Sequence, residues 1–272
     1  LNFTKPLNIN KPLLPFFIWD LARPGWEKNM PKLKLYSELA EIYDQLYLVT
    51  FNYEQDAEFV DSILKKYQIT EFLEVGCGSG HLAKILFEKG YQITGVDLYK
   101  EMLQIARKRL PEVEFIQQDI RELKLARKFD AIIAMGRMFT YMITNEDVEQ
   151  SIASVARCLN AGGIFLFDNF SAPHFIQNFK ENEEKIHEVN LGHRKIKRIS
   201  LNTWNLKHGV TFNWNAKYKI EEQGKLREIE DESVLRAFFP EELEYFLRRE
   251  EMEIVELLDR DFAFVVLAQK RG

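Results

Sequence analysis

The chain has 272 residues, with 37 Lys and Arg against 42 Asp and Glu, a formal net charge of −5, and 46% of its residues are hydrophobic. That composition suits an ordinary globular protein of one large domain or two small ones. No run approaches the ~18 apolar residues of a membrane span, and the mild acidity argues against bulk-charge binding of nucleic acid. Two cysteines, Cys77 and Cys158, cannot build a disulfide framework and fit a reducing cytosol, so a cytoplasmic protein is expected.

Five of the eight prolines lie in residues 1–31, which predicts an extended Pro-rich arm ahead of a domain over 32–272. From 32 to 47, apolar residues at Leu35, Leu39, Ile42, Tyr43, Leu46 and Tyr47 predict one helix, with Tyr36 and Tyr43 on a shared face. A second amphipathic helix spans 53–67. Strands at 71–75, 91–96, 113–117, 129–135 and 163–168 then alternate with helices at 81–89, 99–110 and 146–159. Thr144 and Asp147 have the spacing of a capping box at the start of the last of these helices, and Gly162 follows its end. Such alternation describes right-handed crossovers on a parallel sheet.

The last third reads differently. Residues 186–237 alternate with period two and are broken at His208-Gly209 and Gln223-Gly224, which predicts a three-stranded antiparallel meander inserted after the fifth strand. Pro240 with Glu241 and Glu242 opens a short helix, and strands at 252–258 and 262–268 close the chain.

The chemistry gathers at the strand tips. Leu73-Glu74-Val75-Gly76-Cys77-Gly78-Ser79-Gly80 runs from a strand through three glycines into a helix, the usual nucleotide site of open α/β sheets. A dinucleotide fingerprint needs its third glycine at position 81, which is His81. Asp97, 21 residues after Gly76, ends the second strand where a carboxylate can take ribose hydroxyls. Asp119 follows the third strand, where a carboxylate can accept from an adenine amine while the next backbone N–H serves a ring nitrogen.

With these residues, and with the segments GVDL, QQDI, FDAIIAM and LNAGGIFLFDNF, the chain resembles the class I S-adenosylmethionine-dependent methyltransferases over about residues 35–169. The resemblance implies an α/β, Rossmann-like seven-stranded, mostly parallel sheet with the last strand antiparallel, plus the meander insertion. It also implies S-adenosylmethionine as the cofactor and S-adenosylhomocysteine as its product. On that pattern Gly76, Gly78 and Gly80 border the methionine part, Asp97 holds the ribose, and Leu98 and Met102 pack near the adenine. Asp119 and Ile120 would read the adenine edge, the Met135 backbone would take the amino group, and Glu74 would order the loop.

The segment 35–47 is similar to the lid helix of small-molecule N-methyltransferases, the amino-sugar N,N-dimethyltransferase and glycine-type enzymes, in which tyrosines cover the cofactor and acceptor. Tyr36 is therefore expected at the cofactor and Tyr43 at the acceptor. Arg137, Tyr141, Asp168 and His174 come from segments at the same sheet edge and are further candidates for acceptor chemistry; no metal site is expected. The reading is methyl transfer to a nitrogen or oxygen of a small molecule. RNA or protein methylation and a non-catalytic cofactor-binding regulator remain alternatives, the former resting on the basic run from His193 to Arg198. A homodimer would form through the insertion or the arm.

Overall fold

The computed structural model describes residues 33–272, so the expected Pro-rich arm lies outside the described residues. Seven strands form the central sheet: β1 (Glu71–Val75), β2 (Gln92–Asp97), β3 (Glu114–Gln117), β4 (Phe129–Ala134), β5 (Leu159–Ser171), β10 (Met252–Arg260) and β11 (Ala263–Lys270). Their order is β3-β2-β1-β4-β5-β11-β10, parallel from β3 to β5, with β11 antiparallel to both β5 and β10. The expected architecture is present. Helices α3 (His81–Glu88), α4 (Lys100–Arg109) and α5 (Asn145–Cys158) make the crossovers. The Thr144–Asp147 capping box forms reciprocally at the start of α5.

Two elements differ from the expectation. Residues 32–47 are not one helix: Lys34–Tyr36 is a 3₁₀ turn, and α1 runs Ala40–Thr50, followed by α2 (Tyr53–Lys66). A tertiary contact holds the turn. The Asp231 carboxylate accepts from the backbone N–H groups of Lys34 and Leu35 at 3.0 Å each, and Ser37 Oγ donates back to Leu33 O at 2.8 Å. Tyr36 therefore sits ahead of α1 rather than on it.

The insertion has four strands, not three: β6 (Lys185–Asn190), β7 (Arg194–Trp204), β8 (Val210–Glu222) and β9 (Lys225–Phe238). A third turn at Gly192, with φ +79°, separates β6 from β7. Helix α6 (Ala172–Asn178) leads into this meander, and α7 (Pro240–Arg249) leaves it. The long β5 joins the two parts, because its last residues Phe170 and Ser171 pair with Ala237 and Phe238 of β9. All eleven strands thus belong to one hydrogen-bonded sheet.

Successive β5 residues face opposite layers. Phe165 and Phe167 pack with Phe139 and Phe238, while Ile164 and Leu166 join the layer containing Leu86 and Leu103. A third cluster ties α1 to the insertion: Leu39, Ile42 and Leu46 bury against Ile196, Tyr218 and Ile220. Each such buried aliphatic side chain contributes roughly 1.5–3 kcal/mol, so α1 is held mainly by the insertion. Arg236, almost fully buried, bonds to Ile143 O, Asn145 Oδ1 and Glu242 Oε1, fixing the end of β9 against the starts of α5 and α7.

Candidate active site

The glycine loop crosses the tip of β1 with Gly76, Gly78 and Gly80 all in the left-handed region, at φ +72°, +55° and +78°. Gly76 N and Cys77 N both donate to Val96 O, at 2.7 and 3.0 Å, which pins the loop to β2. A Cβ on Gly76 would stand 2.5 Å from Met138 Cγ. The loop therefore packs directly on the turn that follows β4.

Asp97 is the loop's second anchor. Its Oδ2 accepts from Gly78 N at 2.9 Å and its Oδ1 from Tyr99 N at 2.8 Å. Burial pushes this carboxyl up to about 6 against those stabilising N–H groups. Glu74 lies deeper; burial and then the Asp97 charge raise it to about 8, and its Oε2 has no hydrogen-bond partner. Two buried acids, one with a free oxygen, at the tips of adjacent parallel strands suit a ligand with several donors, such as a nucleoside carrying an amino acid. The residues present fit S-adenosylmethionine.

The remaining cofactor candidates surround this pair. Met102 is buried with its Cε 3.4 Å from where a Gly78 Cβ would be, Leu98 follows Asp97 half-buried, and Met135 is buried at the end of β4. Ile120 is buried in the 3₁₀ turn Ile120–Glu122. Asp119 caps that turn through Arg121 N, and both its oxygens bond the Arg121 side chain, so its carboxylate is already engaged.

A cavity of about 440 Å³ opens between the body and the insertion. Tyr36, Tyr43, Arg137, Tyr141 and His174 all line it; Asp168 does not. Instead Asp168 Oδ1 accepts from Arg137 N at 2.6 Å and holds that residue at φ +63°, a conformation costly for a side-chain-bearing residue. Burial lifts Asp168 to about 6, with Arg137 opposing the shift. The Arg137 guanidinium lies 4.6 Å from the Phe51 ring centre, 5.5 Å from Phe262 and 5.6 Å from Phe170. Arg137 and Met138 are neighbours in sequence, so one turn touches both the glycine loop and the cavity.

Tyr36 stands where the two regions meet. Its hydroxyl is 2.8 Å from the Tyr141 hydroxyl, and its ring is 5.4 Å from Tyr99, two residues after Asp97. From Tyr99 a chain of rings runs through Tyr36, Tyr43, Tyr47, Phe51 and Tyr53 to His81, with centroid spacings of 4.0–6.0 Å. Desolvation raises the Tyr36, Tyr43 and Tyr141 phenols above their ordinary value, so near neutral pH they are donors rather than bases.

Sequence reasoning missed two groups. Asp44 on α1 accepts from both His81 Nε2, at 2.7 Å, and Arg109 Nη2, at 2.9 Å, while Arg109 also bonds Ser79 O, which fastens α1 to the glycine loop. Burial alone would raise the Asp44 carboxyl; the bonds from His81 and Ser79 and the Arg109 charge outweigh it and hold the group at about 2. The other group is His187, Arg198 and Trp214 on the insertion wall of the cavity. Alternation from the inward Ile196 would have placed Arg198 inward too. The basic run accordingly divides, Lys195 exposed and Arg198 buried.

No helix among the described residues is long and apolar enough to cross a membrane, and no cluster of three metal-ligating side chains occurs among them. Residues 72–163 match a family model described as a methyltransferase domain. The chain is 33% identical over 142 residues to the putative methyltransferase YqeM of Bacillus subtilis, an overlap of 51% of this chain and 56% of that protein. So the aligned part spans little more than half of that relative's length. It is 28% identical over 210 residues to the dTDP-3-amino-3,4,6-trideoxy-α-D-glucopyranose N,N-dimethyltransferase of Streptomyces venezuelae, covering 75% of this chain and 86% of that one. The crystal structure of DesVI from the same organism superposes with a TM-score of 0.74 at 25% identity, over 86% of this chain and 98% of that one.

Fold and domain match together define an α/β domain of the methyltransferase kind. Residues 72–163 are a methyltransferase domain, and the chain has the fold of solved S-adenosylmethionine-dependent methyltransferases.

Proposed function

We propose that the protein transfers a methyl group from S-adenosylmethionine to a nitrogen of a small-molecule acceptor held in the 440 Å³ cavity, an amino sugar being the acceptor class the named relatives suggest. One observation carries the reading: the turn after β4 packs Met138 on the glycine loop and presents Arg137 to the cavity. A donor at the loop and an acceptor in the cavity are then neighbours. The volume suits a small molecule and is too confined for a folded macromolecule.

In this reading Gly76, Gly78, Gly80, Asp97 and Glu74 hold the cofactor, with Leu98, Met102, Asp119, Ile120 and Met135 around the nucleoside. The bound cofactor supplies an electrophilic methyl group. The chain supplies alignment and exclusion of water. The aromatic chain on and around α1 covers the site, and Asp44 keeps that cover closed through His81 and Arg109.

An amine protonated near pH 7 must give up a proton before its lone pair is free. His174 takes that proton: its ring lines the cavity with no hydrogen-bond partner among the described residues. Within the Tyr36–Tyr141 pair, the hydroxyl that accepts keeps its own proton to donate to the acceptor, and Asp168 positions Arg137 instead of meeting the acceptor.

The test is methyl release from labelled S-adenosylmethionine onto a panel of free and nucleotide-linked amino sugars, other amines and an RNA. Turnover on an amine, with kcat reduced at least ~30-fold in His174→Ala and S-adenosylhomocysteine affinity unchanged, is the expected result. Cofactor binding without turnover on any member would move the protein to the regulator reading, and turnover on RNA alone would remove the small-molecule one.

A further inference from the structure

The inner face of the insertion changes character along its length. At one end Val189, Ile196 and Ile220 pack on α1. At the other end, alternate positions on the same strands carry Lys185, His187, Arg198 and Ser200 and line the cavity. Strand period alone puts these side chains on one wall. The cavity collects cations although the chain as a whole is acidic: Arg137, Lys180, Lys185 and Arg198 line it, against the single carboxylate of Glu183. Glu183 is taken up by Lys180 at 3.1 Å.

Arg198 stands out among them. It is only 7% exposed and makes no ion pair among the described residues. Its Nη1 donates to Tyr47 Oη at 3.0 Å and its Nη2 to His187 Nδ1 at 3.1 Å, both neutral acceptors. The Nε–H is fully buried on the side where the guanidinium meets the Tyr218 hydroxyl, so the charge has only neutral neighbours. Burying a charge without a counter-ion is expensive, and a guanidinium bonded only to neutral groups is half of a charge-assisted pair. The rings of Tyr47 and Trp214, at 5.4 and 5.8 Å, keep the guanidinium in place. His187 completes the geometry. Because its Nδ1 accepts from Arg198, its proton sits on Nε2, a second donor; burial and the Arg198 charge lower its pKa, keeping the ring neutral.

We propose that Arg198, whose guanidinium lines the cavity without a counter-ion, binds with His187 and Lys185 beside it an anionic group of the methyl acceptor, a phosphate or a carboxylate. This rests on the methyltransferase reading above and narrows it. The acceptor is an anionic amine, anchored by its acidic end on the insertion, so that its reacting end lies toward Arg137 and Tyr141. Guanidinium geometry favours a two-oxygen ligand, so lysine would replace Arg198 poorly.

The full chain is titrated with inorganic phosphate, inorganic pyrophosphate and acetate, followed by the tryptophan fluorescence to which Trp214 contributes. S-adenosylhomocysteine binding is measured by calorimetry on the same samples. At least one anion is expected to bind saturably, phosphate or pyrophosphate marking a phosphorylated acceptor and acetate a carboxylic one. Arg198→Gln is expected to weaken that anion at least tenfold, Arg198→Lys by less and Lys185→Gln about threefold, all with S-adenosylhomocysteine affinity within twofold. Absence of saturable binding by the wild type, or undiminished binding by Arg198→Gln, overturns the proposal. If Arg198→Gln also loses S-adenosylhomocysteine, the exposed Lys185→Gln decides by the same criterion. Failure of the wild type to bind S-adenosylhomocysteine would strike the cofactor assignment instead, leaving the anion titration to be judged on its own.

Discussion

The two halves of the proposed site are made by different means. On the body side, main-chain turns and two buried acids meet at the tips of adjacent strands, and the residues concerned lie within one stretch from Glu74 to Asp97. On the insertion side, the wall is a single face of an antiparallel meander, contributed one residue in two and weighted toward positive charge. A local wall suits a constant ligand, because its parts are set by neighbouring residues. A face of a sheet can change one side chain at a time without disturbing the backbone, which suits a ligand that varies between relatives.

Cofactor and acceptor effects should therefore separate. The largest expected effects are on the body side: Gly78→Val and Asp97→Ala each lower S-adenosylhomocysteine affinity at least ~100-fold in calorimetry, with circular dichroism unchanged. The first forces a side chain to φ +55°, and the second frees the N–H of Gly78 from its anchor. Normal affinity in either would dissolve the division between the walls. Next in size, Arg137→Ala is expected to lower kcat/KM for the acceptor ~30-fold while cofactor affinity moves less than threefold. The reverse pattern would shift Arg137 to the cofactor wall.

Smaller effects sharpen the join between the walls. Asp44→Asn loosens α1 from the glycine loop and should raise the KM for S-adenosylmethionine about tenfold, with partial recovery in Asp44→Glu. Arg236→Ala removes a buried cation at the root of the insertion; it should cost about 3 kcal/mol in urea unfolding, with Glu242 partly exposed and able to rehydrate.

The last prediction concerns pH. Glu74 at about 8 in the fold, against 4.5 in the unfolded chain, keeps a proton that the unfolded state has released. The folded state then binds more protons between these values, so this group takes stability away as pH rises from 4.5 to about 8. Glu74→Gln should raise Tm at pH 9 and leave it nearly unchanged at pH 4. Asp44 runs the other way, its contribution being present above 3.8 and lost as pH falls through about 2.

Much of the body was legible from local pattern. Strand β1 falls on the expected 71–75, the Thr144–Asp147 box forms, and Asp97 ends β2 as expected. Alternation also located the insertion. The misreadings share one physical cause. The 3₁₀ turn at Lys34–Tyr36 is held by Asp231, far along the chain, which accepts from the N–H groups of Lys34 and Leu35. The four-stranded count depends on a turn at Gly192 within a charged stretch whose pairing partner, β7, lies beyond it.

What this sequence determined by itself is the body of the protein: the crossover fold, the glycine turn and the acid at the tip of the second strand. Those features depend on backbone conformation and strand period, which are properties of short segments. Only the tertiary structure decided that Arg198 is buried without a counter-ion, that Asp168 supports Arg137 rather than facing the cavity, and that Asp44 closes α1 onto the loop. Each of these depends on which distant group desolvates or pairs a charge, and pairing across a fold leaves no trace in local spacing.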